Sequence, residues 1–301
     1  MFDHHSEPEG EARDEAERLD RALTDIDWTV PAPGSVASRF RAPSGELAVV
    51  SLGDPANPRV LLAPGVSGSK EDFLLVAPLL AEAGYYVQSY DLAGQYESAD
   101  AGPKPGRRYD YPLFRDDMVA LLEDGGPAHL LGYSFAGTVA QQVTVERPDL
   151  VRSLTLLAAP PEPGNGFRGV RGLGPFTWMA TGKVGAALMT WGIVTNKNHV
   201  PPKRLDFVRA RFELTSRRSM EDIIVLMKHA PDLRARLAAV DIPKLVAVGS
   251  HDLWPTTLHA ELAERIGARL VVYKTGHSPC ETTPHALGRD MVALFAEAAA
   301  R

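Results

Sequence analysis

Leu130-Leu-Gly-Tyr-Ser-Phe-Ala-Gly137 is the stretch on which the fold turns. The apolar run His129–Gly132 has the character of a strand buried on both faces, and Phe135–Glu146 that of a helix. Ser134 therefore falls at an abrupt strand-to-helix junction. A turn that sharp forces its central residue into strained dihedrals and lifts the hydroxyl above the end of the sheet. It also brings the two backbones almost into contact, so the residues two before and two after must be small. Gly132 and Ala136 meet that requirement, and Gly137 relaxes the packing further. The Phe135 N–H, first in the helix, can then face a developing oxyanion. Read alone, the same stretch also fits a strand-end serine that caps a helix.

Outward from this junction, strand-like and helix-like stretches alternate. Strands are expected at Ser38–Arg41, Leu47–Leu52, Val60–Ala63, Tyr86–Tyr90, His129–Gly132, Leu154–Ala158, Lys244–Gly249 and Arg269–Tyr273. Helices are expected at Glu71–Ala83, Pro112–Leu122, Phe135–Glu146, Thr256–Ile266 and Pro284–Ala299. Continuous apolar runs such as Val60–Ala63 and Leu245–Val248 suit strands covered by helices on each side. The rhythm predicts an α/β fold, a doubly wound and mostly parallel eight-stranded sheet. Residues 36–160 and 240–301 form its core. Between them, residues 161–239 carry only helical patterns, including Leu205–Thr215 and Met220–His229, and read as an inserted helical cap.

Residues 1–35 read as an acidic helical extension. Ala12, Ala16, Leu19, Leu23 and Ile26 fall on one stripe, and residues 1–27 hold 10 acidic against 3 basic side chains. A solvated, loosely docked arm is the plain expectation; an acidic lid or dimerisation element is the alternative. The 301-residue chain is 45% hydrophobic and 23% charged, a balance that suits a soluble globular protein. A net charge of -6 argues against a general nucleic-acid binder. The single cysteine, Cys280, precludes an intrachain disulfide, and the acidic start lacks the apolar segment of a secretory signal. No apolar run approaches the ~20 residues of a membrane span. The expectation is a cytoplasmic protein acting on a small molecule, with no nucleic-acid or membrane partner; the oligomeric state is not legible.

The elbow stretch resembles the nucleophile elbow of the α/β-hydrolase family, with Ala136 where glycine is more usual. Further matches follow in the family's order. Val246-Ala-Val-Gly-Ser-His-Asp-Leu-Trp-Pro255 resembles the strand end that presents the orienting acid, which makes Asp252 that acid and turns His251 to the other side. Tyr273-Lys-Thr-Gly-His-Ser-Pro-Cys-Glu-Thr-Thr-Pro284 resembles the histidine loop, with His277 as general base. Leu62-Ala-Pro-Gly-Val-Ser-Gly-Ser69 resembles the oxyanion loop, with Pro64 where histidine is usual. It nominates the Val66 N–H beside that of Phe135. Asp91-Leu-Ala-Gly-Gln-Tyr-Glu-Ser98 resembles a family turn, with Tyr96 replacing glycine and Asp91 in a structural role.

The resemblance implies hydrolysis of a carboxylic ester, thioester or lactone through an acyl-enzyme on Ser134, without a cofactor. C–C bond hydrolysis or cofactor-free perhydrolase (haloperoxidase) chemistry could use the same three residues. A non-catalytic hydrolase-like binding protein is the reading from outside enzymology. Serine in the nucleophile position argues against the epoxide-hydrolase and haloalkane-dehalogenase branches. No zinc pattern, phosphate loop or dinucleotide fingerprint is present. Glu281 is expected to brace its loop, and Cys280 to be structural.

Within the cap, Phe176, Trp178, Trp191 and Phe212 are candidates to line an apolar acyl pocket, although helical caps also need such residues for their own packing. Residues 161–235 carry 12 basic against 6 acidic side chains, most of the excess coming from Arg204, Arg209, Arg211, Arg217 and Arg218. The expectation is a solvated helix face; attraction of an anionic substrate is the sharper alternative.

Overall fold

The computed structural model describes residues 7–170 and 200–301, so Phe176, Trp178 and Trp191 lie outside the described residues. Strands β1 (Val36–Ala42), β2 (Gly45–Leu52), β3 (Arg59–Ala63), β4 (Tyr86–Tyr90), β5 (Ala128–Tyr133), β6 (Val151–Leu157), β7 (Lys244–Gly249) and β8 (Arg269–Tyr273) form one sheet. Its order is β1-β2-β4-β3-β5-β6-β7-β8. The β1–β2 and β2–β4 pairings are antiparallel and the remaining five are parallel.

The apolar runs become strands because successive side chains feed opposite layers. Leu61, Ala63, Leu130, Val246 and Val248 join one hydrophobic cluster, while Val60, Leu62, Leu131, Leu245 and Ala247 join another on the opposite face. Helices α3 (Tyr111–Gly125), α4 (Phe135–Glu146) and α8 (Thr256–Ile266) cover the first face. Helices α2 (Val76–Glu82) and α10 (Pro284–Ala299) cover the second, the short α9 (Pro279–Thr282) leading into α10. Strand order reverses between β3 and β5, so the chain leaves these neighbours in opposite directions beyond their C-terminal ends, the place where such sheets gather their sites. Between β6 and β7 the described chain forms α5 (Pro202–Leu214), α6 (Arg217–Met227) and α7 (Arg234–Ala238).

Two local expectations change. The predicted helix Glu71–Ala83 is two pieces: a 3-10 turn at Lys70–Phe73, where Asp72 accepts the Ser69 N–H, and then α2. The N-terminal helix α1 (Glu7–Arg21) stops before Leu23 and Ile26, and of the predicted stripe only Ala16 is buried. Here Asp20 turns away to accept the N–H groups of His285 and Ala286 at 2.9 and 3.1 Å, capping the start of α10. Asp25 likewise accepts the Lys203 N–H at the start of α5, at 2.9 Å. The extension is thus anchored at two helix N-termini rather than loosely docked.

One buried strand residue makes the fold acid-sensitive. His129 in β5 stacks on Phe295 with ring centroids 4.0 Å apart, and its Nδ1 lies 2.8 Å from Ser153 Oγ. Burial, aided by Arg152, pushes its pKa from 6.5 down to about 4. Below pH 6.5 the unfolded chain therefore takes up this proton before the folded one. The contribution is intact above 6.5 and is lost as pH falls towards 4, amounting to about 3 kcal/mol. Urea unfolding at pH 7 and pH 4.5 is expected to show a smaller loss for His129→Gln than for wild type. Equal losses would exclude this residue as the cause.

Candidate active site

Ser134 joins β5 to α4 with φ of 52° and ψ of −121°. Such a conformation costs a residue with a side chain about 1–3 kcal/mol. Hydrogen bonds hold it: the Ser134 N–H donates to the Leu157 carbonyl at 2.8 Å, and the Gly137 N–H to the Ser134 carbonyl at 2.9 Å. The small residues are required by contact. A Cβ on Gly132 would stand 2.5 Å from the Ala136 carbonyl oxygen, and one on Gly137 would stand 2.4 Å from Ala159 Cβ. The loop after β3 passes as closely, since a Cβ on Gly65 would lie 2.9 Å from Ser134 Cβ.

The loops after β7 and β8 run together above the sheet. The Ser250 N–H donates to the Tyr273 carbonyl at 2.7 Å and the His251 N–H to that of Thr275 at 2.9 Å. Gly249 permits this approach, because any Cβ there would collide with the Gly276 carbonyl. The paired loops bring His277 Nδ1 to 2.5 Å from Asp252 Oδ1 and His277 Nε2 to 3.2 Å from Ser134 Oγ. Ser134, Asp252 and His277, 143 and 25 residues apart along the chain, thus meet in one file. A carboxylate on the Nδ1 side leaves the Nε2 lone pair facing the hydroxyl, an arrangement able to withdraw its proton. Burial favours the neutral form of Asp252. Hydrogen bonds from His259 and His277 outweigh it and hold the carboxyl below its ordinary range.

The two backbone donors nominated from the sequence belong to the segments that meet at Ser134, the helix that follows it and the loop after β3. Phe135 is the first residue of α4, so its N–H has no carbonyl within the helix to donate to. Val66 occupies the first central position of a turn closed by the Gly68 N–H on the Gly65 carbonyl, at 3.0 Å. Ser67, the second, has φ of 57° and donates its N–H to Gln95 Oε1 at 2.8 Å. The turn therefore stays pinned with Pro64 in place of histidine. Gln95, fully buried, reaches onward to Ser219 Oγ on α6 at 2.9 Å and ties this turn to the helices beyond β6.

His277 is bracketed by Tyr133 and Trp254, with ring centroids at 5.5 and 5.8 Å. The Tyr133 hydroxyl pairs with Ser278 Oγ at 2.8 Å, and the Trp254 Nε1–H donates to the Gly166 carbonyl at 2.7 Å. His251 is exposed and pairs with Ser250, away from the file, as expected. Asp91 is buried and accepts the Lys70 N–H at 2.8 Å, also as expected. Cys280 is fully buried, and burial pushes its thiol up, away from the reactive thiolate. Phe212 is half-buried on α5.

The arginine face differs from expectation. Arg209, Arg217 and Arg218 face solvent, but Arg204 and Arg211 are only 3% and 5% exposed. Both grip Asp72 Oδ1, at 2.7 and 2.5 Å, and Arg204 also holds Glu281 through bonds of 2.9 and 2.5 Å. Its guanidinium lies 4.3 Å from the Trp28 ring centroid. The cluster joins α5 to the turn before α2, to the histidine loop and to the N-terminal segment. Its carboxylates lie 77 to 139 residues from the arginines, beyond the reach of a helical periodicity argument. His259 was missed as well. The available signal was its place on the stripe His259, Leu262, Ala263, Ile266, the buried face of α8.

Among the described residues no group of three or more His, Cys, Asp or Glu is gathered to hold a metal ion. No described helix is long and apolar enough to cross a membrane.

The family model described as "Alpha/beta hydrolase family" matches residues 60–289. The chain belongs to the alpha/beta hydrolase family. Among the alpha/beta hydrolases it is 30% identical to epoxide hydrolase A of Mycobacterium tuberculosis over 119 residues, 39% of this chain and 36% of that protein. It is 34% identical over 86 residues to a pimeloyl-[acyl-carrier protein] methyl ester esterase of Aeromonas hydrophila, 29% of this chain and 32% of that one. These matches span about a third of each relative's length. The enol-lactonase of Burkholderia xenovorans superposes with a TM-score of 0.71 at 18% identity, covering 86% of this chain and all of that one. At such identity the likeness is one of fold.

Proposed function

We propose that this alpha/beta hydrolase is a serine hydrolase that cleaves a carboxylic ester, thioester or lactone of a small molecule through an acyl-enzyme on Ser134. The observation that carries the reading is the file Ser134 Oγ, His277 Nε2 at 3.2 Å, and His277 Nδ1 on Asp252 Oδ1 at 2.5 Å, ending on a strained elbow. His277 takes the hydroxyl proton as Oγ attacks the carbonyl carbon. The oxyanion forms against the N–H groups of Val66 and Phe135. His277 then returns the proton to the departing alcohol, thiol or ring oxygen. In the second half water gives a proton to His277 as it attacks the acyl carbon, and His277 passes that proton to the departing Ser134 Oγ, releasing the acid and regenerating the hydroxyl.

Residues 161–239 act in this reading as a cap that selects the acyl group. Helices α5 and α6 bury Phe207, Ile223 and Met227 in packing, which leaves the half-buried Phe212 as their candidate to meet an acyl group. A fluorophosphonate probe and a series of p-nitrophenyl esters of increasing acyl length test this together. The probe is expected to label the wild type, and kcat/KM to rise roughly fourfold per added methylene until the pocket is full. An unlabelled wild type overturns the serine mechanism in favour of a binding protein. A β-diketone cleaved faster than any ester moves the reaction to C–C hydrolysis.

A further inference from the structure

Asp252 is held at both oxygens. Oδ1 faces His277 Nδ1 and accepts the Leu253 N–H at 2.7 Å, while Oδ2 lies 3.0 Å from His259 Nε2. His259 is fully buried one turn into α8, with the Trp254 ring edge-on at 6.3 Å. Its Nδ1 is buried and has no hydrogen-bond partner among the described residues. Nε2 faces a carboxylate oxygen and Nδ1 faces no acceptor, so the ring carries a hydrogen on Nε2 and donates it to Oδ2.

This second grip answers a mechanical problem. Asp252 belongs to a loop whose neighbours face outward: His251 is exposed and Leu253 is 44% exposed. The carboxylate could turn about its χ2 bond, since the Leu253 N–H restrains one oxygen only. His259 is carried on the packed stripe with Leu262, Ala263 and Ile266, so its Nε2 is a point fixed to the core. Turning the carboxylate would break the bonds to both imidazoles at once.

We propose that His259 is a positioning residue for the chemistry at Ser134: its Nε2–H locks the Asp252 carboxylate in the rotation that presents Oδ1 to His277. The role rests on the reading of Ser134 and His277 as nucleophile and base. Asp252 is buried and its side-chain hydrogen-bond partners are the two imidazoles, so the effect passes through His277 alone. Glutamine at 259 can place an amide N–H where Nε2 stands, whereas asparagine places it near Nδ1, and leucine has none.

The test is the rate at which a fluorophosphonate probe labels Ser134 in the wild type and in His259→Gln, His259→Asn and His259→Leu, beside their thermal midpoints. His259→Gln is expected to label within about threefold of wild type, and His259→Asn and His259→Leu roughly 10- to 100-fold more slowly. If His259→Leu fails to fold, the Gln and Asn pair decides, because both side chains are polar amides. Wild-type rates in the Asn variant overturn the positioning role, and so does a Gln variant as slow as Asn, which would make the role one of packing. A wild type that resists the probe fails at the earlier step, removing the nucleophile reading and this role with it.

Discussion

Ser134→Ala is expected to lower ester hydrolysis roughly 10⁴- to 10⁶-fold and to abolish fluorophosphonate labelling while leaving the fold intact. Among the described residues the hydroxyl's one side-chain hydrogen bond is to His277 at 3.2 Å, so stability loses little with it. The backbone strain at φ of 52° remains, because alanine still carries a Cβ. Ser134→Gly separates the two properties: it should be equally inactive yet more stable by about 1 kcal/mol, since glycine adopts positive φ freely. Hydrolysis rates and thermal midpoints of the two variants check both halves. Residual activity above about one per cent in either would take the nucleophile role away from Ser134.

Asp252→Asn is expected to cost about 10³- to 10⁴-fold in kcat with KM nearly unchanged. The carboxylate accepts from two imidazoles, His277 on Oδ1 and His259 on Oδ2. A carboxamide has only one oxygen to offer, so its NH₂ must oppose one of the rings. If it opposes His277, that ring takes the other tautomer, puts its hydrogen on Nε2, and can no longer accept the serine proton. If it opposes His259, two donors meet in a site only 1% exposed, and stability falls by about 1–3 kcal/mol. Steady-state kinetics and urea unfolding of the same preparation distinguish the outcomes. Unchanged kcat would remove Asp252 as the orienting acid.

These predictions concern residues nominated by the family resemblance, and the frame that carries the resemblance is local. The runs Val60–Ala63 and Lys244–Gly249 announce buried strands because every residue in them is apolar or carries its polar end past the strand edge. Gly132 and Gly137 announce the elbow because strand and helix cannot pass so close with larger side chains. Asp252 and His277 each follow a readable strand within a few residues. The α1 boundary was harder, because Ala12, Leu19, Leu23 and Ile26 continue an apolar period past the point where the helix ends. The capping bonds from Asp20 to α10, 265 residues away, leave no trace in that period.

Charged side chains mark the sharper limit. Arg204 and Arg211 lie on the same short helix as the exposed Arg209, and composition treats the three alike. Only the opposing carboxylates of Asp72 and Glu281 make burial of the first two tolerable, because an unpaired guanidinium would be too costly to take from water. Likewise a histidine at 259 is, in sequence, one of nine. The sequence by itself determined the sheet and its helical layers, because backbone periodicity and close backbone approach are written into neighbouring residues, and its resemblance to the alpha/beta hydrolase family nominated Ser134, Asp252 and His277. Tertiary structure alone decided which arginines are buried, where the N-terminal extension is anchored and what holds the second oxygen of Asp252. Those depend on partners far along the chain, and the energy of a buried charge or hydrogen bond is set by what packs against it.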